Sequence, residues 1–210
     1  MGSEMCIRDR FNNVAEEVSF AHEAAALFDM SCFGKIDIIG PDAEHFLLQT
    51  CAGYMQRPPG SVICSAVLNE RGTYESDITA QRITKDHYRL FVGTNTIKRD
   101  YAWFNAMANG FNVKIENTTA NYGVLSLMGP KAVEVVTKCG ASDLSILGYF
   151  KTGEFNLAGK CIRAARISYV GELGWEITCE IDDLLEIYKS LIDAGARPAG
   201  LFAQTSMRIE

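Results

Sequence analysis

The sequence lacks the features that mark membrane-spanning, metal-binding and nucleic-acid-binding proteins. No apolar run approaches the roughly 18 residues that a membrane-spanning helix needs. The three histidines are separated from one another and from the cysteines, which argues against a metal site. The net charge is -6 and there is no basic block, so the sequence offers no positively charged segment of the kind that binds nucleic acid. No Gly-x-Gly-x-x-Gly motif occurs, which excludes a dinucleotide-binding unit of that kind in this stretch.

The cysteines give no sign of a disulfide framework. There are seven of them, an odd number, and no two have CxxC spacing. Most lie in apolar contexts, as Cys64 and Cys179 do. We therefore expect buried free thiols in a reducing compartment, either the cytoplasm or the mitochondrial matrix.

The composition is that of a globular protein. Of 210 residues, 48% are apolar and 22% charged, enough for one large domain or two small ones. Residues 1–10 have no apolar segment of the kind found in signal peptides and share no period with the residues after them, and we interpret them as a non-native leader. Residues 11–210 form the predicted domain. We expect it to be truncated at its C-terminal end, because the sequence stops at Met207–Glu210 in the middle of an apolar-periodic segment.

The apolar spacing predicts an α+β fold with largely antiparallel sheets. Strands outnumber helices and are joined mainly by short turns, and helices fall between strand pairs rather than after every strand. Helical periodicity predicts helices at 14–28, 41–48, 97–107, 131–137 and 184–192. Extended patterns predict strands at 32–39, 61–69, 73–83, 88–92, 113–115, 122–127, 150–157 and 161–167.

Residues 73–81 alternate as a strand with one polar face. Period two places Asp77 on the polar face with Thr73, Glu75, Thr79 and Gln81, opposite Tyr74, Ser76, Ile78 and Ala80. One interpretation is a solvated sheet surface. The other is a face that lines a cavity, with Asp77 a buried carboxylate near an amine nucleophile. Periodicity alone does not separate the two.

Residues 166–177 have the pattern of a strand, a tight glycine turn and a second strand. Tyr169 precedes the turn and Glu176 comes after it, on the opposite face from Trp175. A carboxylate beside aromatic rings suits a heterocycle with two parallel N–H donors, such as a pterin. The alternative is a polar outer face with Trp175 in the core.

Two arginines are candidates for binding a carboxylate-bearing ligand tail. The guanidinium groups of Arg166 and Arg208 match carboxylate geometry, although an isolated arginine also suits a surface ion pair. No serine or cysteine lies in a recognisable nucleophile motif with a histidine. Ser-His-Asp and Cys-His catalysis are therefore not indicated.

Four segments in the same order resemble the folate-binding aminomethyltransferase family, typified by the glycine-cleavage T-protein. They span most of the chain from residue 12 onward and lie at 28–35, 68–77, 127–132 and 169–176. Three segments, at 57–61, 75–77 and 171–176, are more similar to the C-terminal folate half of sarcosine and dimethylglycine dehydrogenases. Those enzymes carry an FAD-containing half upstream.

The resemblance implies a tetrahydrofolate-binding domain that captures a formaldehyde equivalent from an oxidised N-methyl amine as 5,10-methylene-tetrahydrofolate. In that interpretation Asp77 is catalytic and polarises the attacking folate nitrogen. Glu176 accepts from the pterin, Tyr169 packs on its ring and Arg208 contacts the acidic tail. The implied partners are folate, a small methylamine-derived unit and an upstream flavin domain that holds FAD. The family's terminal β-barrel domain would be missing.

The chain departs from the family pattern at two places. Gln204 and Thr205 stand where the T-protein has Arg-Asp, and Gly93 stands where it has Asn. A stand-alone glycine-cleavage aminomethyltransferase remains open. So does a folate-binding scaffold of iron–sulfur protein maturation, although residues 166–172 lack the lysine, cysteine and glutamine of that group's Lys-Gly-Cys-Tyr-x-Gly-Gln segment. A fragment that binds nothing is the third alternative.

Overall fold

The computed structural model describes residues 8–210, so the first seven residues of the predicted leader lie outside the described part. The chain divides into two compact units. The first comprises the chain up to Cys32 together with Asn121–Glu210, and the second is Phe33–Ala120. Each unit contains its own sheet and its own apolar core. The predicted α+β class with largely antiparallel sheets is confirmed.

The α-helices of the described residues are short, between seven and eleven residues each. They are α1 (Val14–Glu23), α2 (Ala43–Thr50), α3 (Ile97–Met107), α4 (Ala132–Lys138), α5 (Leu184–Asp193) and α6 (Leu201–Ile209). Helix α1 begins at a regular cap, where the side chain of Asn13 accepts from the backbone N–H of Ala15 at 3.0 Å. None of the helices in residues 8–210 is long and apolar enough to span a membrane.

The strands fall into two sheets. Those of the first unit are β1 (Ala26–Asp29), β7 (Tyr122–Met128), β8 (Thr152–Leu157), β9 (Lys160–Ala165), β10 (Gly174–Glu180) and β11 (Arg197–Pro198). Those of the second are β2 (Gly34–Ile39), β3 (Val62–Leu68), β4 (Tyr74–Thr84), β5 (His87–Val92) and β6 (Lys114–Asn117). The orders are β11-β1-β7-β10-β9-β8 and β3-β4-β5-β2-β6. Only β1 and β11 pair in parallel among the strands of residues 8–210.

In the first unit, helices α4 and α5 pack on one face of the sheet. Trp175 of β10 has no solvent exposure and shares that core with Val136 of α4 and with Ile187 and Leu191 of α5. Fully burying a large aromatic side chain of this kind contributes on the order of 3 kcal/mol. The strand periodicity that places Trp175 inward turns Glu176 to the opposite face.

In the second unit, α2 and α3 cover one face of the five-stranded sheet. Phe46 and Phe104 meet edge to face, with ring centroids 6.2 Å apart. Tyr88 packs in the same core and satisfies its hydroxyl by donating to the carbonyl of Met55 at 3.0 Å. The other face of this sheet, which carries Asp77, holds the buried polar and charged side chains of Lys35, Asp37, Gln81 and Arg89 together with the buried ring of Phe91.

The glycines of two family-like motifs have structural roles. Gly129 has φ of +138°, and a Cβ there would overlap the carbonyl oxygen of Ala24. A Cβ on Gly174 would overlap the carbonyl oxygen of Leu127 in the neighbouring strand. These glycines let the backbone of α1, β7 and β10 approach closely, and so fix the position of the residues beyond them.

Three local expectations are wrong. The first helix is predicted to continue to residue 28 but ends at Glu23, and the residues after it form strand β1, which has a neighbour on each side. A strand in that position is apolar on both faces, so its sequence also fits the apolar stripe of a helix. The connection from β9 to β10 is an eight-residue loop at 166–173 and not a tight turn. Among the cysteines, Cys64 and Cys161 are exposed, whereas Cys32, Cys51 and Cys179 are buried as expected.

Candidate functional site

Glu176 lies in the middle of the first unit's sheet, on the face away from Trp175. It pairs directly with Ser126 of β7 on one side and with Ala165 of β9 on the other, and Ser126 in turn pairs with Phe28 of β1. Directly opposed residues of neighbouring strands point to the same face. Glu176 is therefore a single acidic group in a row of small and apolar side chains, and not part of a solvated polar surface.

The carboxylate of Glu176 has no hydrogen-bond or ion-pair partner among the described residues, and the side chain is only partly accessible to solvent. Burial raises the pKa of the Glu176 carboxyl to about 7. A partly buried acid that lacks a partner costs the fold free energy when it is ionised. Such groups are retained where a ligand supplies the missing donors.

Two hydroxyls flank Glu176 on the same face. Thr178 is buried, and its Oγ1 has no hydrogen-bond partner among the described residues. Ser126, the direct neighbour of Glu176 on β7, is also buried. The alternation of β10 places Thr178 on the face of Glu176, but neither hydroxyl is among the site residues predicted from the sequence, although a lone serine in the apolar run of β7 was a usable signal.

The loop at 166–173 presents Tyr169 to solvent. Its ring is 52% exposed, so it does not fill a core position. The guanidinium carbon of Arg208, in the last turn of α6, lies 5.6 Å from the centroid of the Tyr169 ring. The structure thus brings together two of the three predicted cofactor-binding residues, in a cation–π contact. A flat ligand can stack on the same ring.

Several contacts hold this loop in place. The carboxylate of Glu172 lies 2.7 Å from Nδ1 of His22 on α1, and the carbonyl of Leu173 accepts from the backbone N–H of Gly129 at 2.8 Å. The hydrogen bond to Glu172 is the largest cause that raises the pKa of His22. Arg166 donates to the carbonyl of Leu147 at 2.9 Å. Arg166 is therefore an anchor of the loop, and of the two candidate arginines Arg208 is the one seen in contact with the Tyr169 ring.

Asp77 belongs to the second unit, on the face of β4 opposite the apolar core. The predicted alternation is observed, since Ser76 and Ile78 are buried and Asp77 is not. Of the two interpretations of this face, the solvated surface is the one observed at Asp77, whose side chain is exposed among residues 8–210. Tyr74 is also exposed, against the prediction that it shares the face of Ser76 and Ile78.

The two positions that depart from the family pattern differ in their surroundings. Gln204 is buried and its Nε2 lies 3.3 Å from the sulfur of Met30, so it packs inside the first unit. Gly93 is exposed at the start of a short 3-10 turn before α3. Neither residue is placed by these contacts in a ligand site.

The raised pKa of Glu176 predicts a specific pH dependence of stability. The folded-state pKa lies above the unfolded value, so protonation favours the folded state. This contribution is fully present below about pH 4.5 and is lost as the pH rises through about 7. As the pH rises through this window, we expect the wild type to lose unfolding free energy relative to Glu176→Gln. The difference should be at most about 3 kcal/mol, because the side chain keeps some solvent contact. Urea unfolding at pH 4.5, 6 and 8 measures the gain. Glu180→Gln, exposed on the same face of β10, should show no such pH-dependent gain.

The sequence profile of the GCVT N-terminal domain matches residues 4–210, almost the whole chain. This chain belongs to the GCVT N-terminal domain family. The membership predicted from the four motifs is confirmed. The GCVT domain described here is 32% identical over 204 residues to an aminomethyltransferase of Thermus thermophilus, which covers 96% of this chain and 58% of that protein. It is 28% identical over 203 residues to an aminomethyltransferase of Thermosipho melanesiensis, over 96% of this chain and 56% of that protein. The chain thus spans little more than half the length of these curated relatives.

Two solved structures are similar to this GCVT domain. The glycine cleavage system aminomethyltransferase T from Bartonella henselae superposes with a TM-score of 0.87 and 25% identity, over 97% of this chain and 55% of that one. The heterotetrameric sarcosine oxidase from Corynebacterium sp. U-96 superposes with a TM-score of 0.63 and 18% identity, over 93% and 92% of the two chains. The second likeness establishes a shared fold alone.

Proposed function

We propose that this chain is the tetrahydrofolate-binding part of an enzyme that transfers a one-carbon unit from an amine. The observation that carries the proposal is Glu176, a partly buried carboxylate without a partner among the described residues, in a chain of the GCVT N-terminal domain family. Related proteins are named aminomethyltransferase, which supports the same class of reaction.

The residues of the first unit fit a pterin. The two oxygens of the Glu176 carboxylate match an edge that offers a ring N–H and an exocyclic amine. The exposed ring of Tyr169 offers a stacking surface, and Arg208 beside it is a cation for the acidic tail of folate. The pKa of Glu176 near 7 means that donors from a ligand would draw the carboxyl into its ionised form.

When bound, tetrahydrofolate would supply two nitrogen atoms that take up a one-carbon unit as 5,10-methylene-tetrahydrofolate, while the bond from that carbon to the donor nitrogen breaks and the released amine or ammonia and any other leaving group carry away the two folate N–H protons. The role of Asp77 in this proposal is to accept a hydrogen bond from the N–H of the attacking nitrogen. That contact holds the nitrogen lone pair toward the one-carbon unit and receives the proton released as the new bond forms. Asp77 is suited to this role because it is exposed on a sheet whose register fixes its place.

The chemical nature of the one-carbon donor distinguishes two classes of enzyme to which this chain could belong. An aminomethyl group on a partner molecule is the donor of a stand-alone aminomethyltransferase, the setting that the names of the curated relatives favour. The motifs at 57–61 and 171–176 favour an oxidised N-methyl amine, as in sarcosine or dimethylglycine dehydrogenases. In that setting FAD belongs to an upstream domain. A flavin-domain sequence encoded upstream of Phe11 would decide for the dehydrogenase, and a start codon close to Phe11 for the transferase.

Direct titration tests the folate proposal. The intact protein is titrated calorimetrically with tetrahydrofolate at pH 8 and, in parallel, with p-aminobenzoylglutamate, which has the acidic tail but no pterin. We expect saturable 1:1 binding of tetrahydrofolate and at least about 100-fold weaker binding of the pterin-free compound. Equal affinity for both would contradict pterin recognition. Binding without any one-carbon transfer would instead favour the scaffold alternative.

A further inference from the structure

Strand β4 contains a β-bulge directly before Asp77. Ser76 pairs with Val67 of β3, but the next pairing joins Tyr74 to Leu68, so Glu75 is an extra residue on this strand. Tyr74 and Asp77 are three apart and would lie on opposite faces of a regular strand. A bulge re-aims the side chains on either side of it. Tyr74 is accordingly turned out of the core and is 60% exposed, on the side of Asp77.

The bulge is clamped from α3. The guanidinium of Arg99 donates to the carbonyl of Glu75 at 2.5 Å and is itself held by Asp100, at 3.1 and 3.2 Å. Asp100 is 3% exposed and also accepts from the hydroxyls of Ser76 and Thr96, each at 2.7 Å. A buried, fully hydrogen-bonded carboxylate is a rigid anchor. The conformation that directs Tyr74 is therefore built into the sheet.

The bulge makes Tyr74 and Asp77 neighbours on one face of β4, because their partners Leu68 and Ala66 lie two residues apart on β3. A hydrogen bond with the Asp77 side chain is the largest cause that raises the pKa of Tyr74. That direction is the one expected when a neutral hydroxyl donates to a carboxylate, because loss of the proton would break the bond. The positive charge of Arg99 acts in the opposite direction and lowers the pKa of Tyr74.

We propose that Tyr74 is a positioning residue for Asp77, and that its phenol holds one carboxylate oxygen so that the other faces the ligand nitrogen. The inference rests on the proposed function of Asp77. An exposed aspartate otherwise exchanges between rotamers, and each rotamer lost on binding costs free energy. A fixed acceptor removes that cost at the step in which the nitrogen reacts.

A double-mutant cycle tests the role. In the intact protein we expect Tyr74→Phe to lower kcat of folate-dependent one-carbon transfer about 10-fold and to change KM for tetrahydrofolate less than about twofold. Added to Asp77→Asn, it should cause no further loss, since Tyr74 acts only by positioning a carboxylate that Asp77→Asn has already removed. Tyr149→Phe is the matched control, because Tyr149 is 61% exposed and belongs to the other unit. Turnover of Tyr74→Phe equal to that of Tyr149→Phe, or multiplicative losses in the double variant, would overturn the proposal.

A second readout separates this inference from the folate proposal. In protein labelled with carbon-13 at tyrosine Cζ, the resonance that disappears in Tyr74→Phe should titrate at higher pH in the wild type than in Asp77→Asn. An unchanged titration overturns the contact, whatever the enzyme does. If the wild type neither binds nor uses tetrahydrofolate, the proposed function fails and the positioning role fails with it, but the resonance still reports whether the two side chains interact.

Discussion

Replacing Asp77 with Asn is expected to lower folate-dependent one-carbon transfer by about 100- to 1,000-fold, the lower part of the range of about 100- to 10,000-fold that a positioned general base contributes. The amide keeps the shape of the carboxylate and one acceptor oxygen but cannot take up a proton. Asp77 is exposed, so its replacement should leave the fold intact. The affinity for tetrahydrofolate should change less than about threefold, because the pterin is held elsewhere in this proposal. Single-turnover kinetics and calorimetric binding measure the two quantities separately.

The appropriate control for Asp77→Asn is Asp86→Asn. Asp86 lies in the turn between β4 and β5. Its backbone carbonyl accepts a hydrogen bond from the backbone N–H of Gly40, and the substitution leaves that carbonyl in place. This variant loses the same charge from the same sheet and should retain wild-type turnover. Full turnover in Asp77→Asn would remove Asp77 from the mechanism. Parallel losses of turnover and affinity would make it a binding residue instead.

The division of β10 into a core face and an opposite face that carries Glu176 could be predicted from the sequence. Trp175 and Ile177 alternate with Glu176 and Thr178 over a regular strand that pairs on both sides. Period two holds wherever a strand has no irregularity. What the alternation could not reveal was whether the Glu176 face is open to water, because that depends on residues such as Ser126 and Phe28 that are distant in sequence.

The structure departs from the sequence pattern where the backbone is irregular. At Glu75 one inserted residue shifts the pairing of β4 with β3, so Tyr74 lies on the face of Asp77 and not on the face of Ser76. The residue types around Glu75 give no sign of this insertion. At 166–173 the glycines indicated a tight turn. Gly171, with φ of +84°, instead lies inside a longer loop whose course is set by buried Val170 and by the contact of Glu172 with His22. These tertiary contacts leave no periodic signal.

Helix α1 and strand β1 show a second reason for such departures. Ala24, Ala25 and Phe28 extend the apolar stripe of the helix, yet the chain leaves the helix after Glu23 and enters the sheet. A short central strand is apolar on both faces, so its pattern is compatible with either structure. Gly129, more than a hundred residues later, makes room for the chain at this point by its contact with the Ala24 carbonyl.

Replacing Glu176 with Gln should weaken tetrahydrofolate binding by about 100-fold. The carboxylate would accept two charge-assisted hydrogen bonds, each worth about 1.5–3 kcal/mol, and the amide replaces one acceptor with a donor that faces the ligand's own donors. Because burial brings the pKa of Glu176 to about 7, wild-type affinity should fall as the pH drops from 8 to 5.5, whereas the weak affinity of Glu176→Gln should stay nearly constant.

Calorimetry across this pH range measures the affinity and its pH dependence. At pH 7 it also measures the proton release that accompanies binding. Ligand donors favour the ionised carboxyl, so binding should release a proton in the wild type and not in Glu176→Gln, seen as a dependence of the binding enthalpy on the ionisation enthalpy of the buffer. Glu180→Gln removes the same charge from an exposed position on the same face of β10 and should behave as the wild type. If Glu176→Gln binds within about threefold of Glu180→Gln, the unpartnered carboxylate does not recognise the pterin, and the folate proposal loses the observation that carries it.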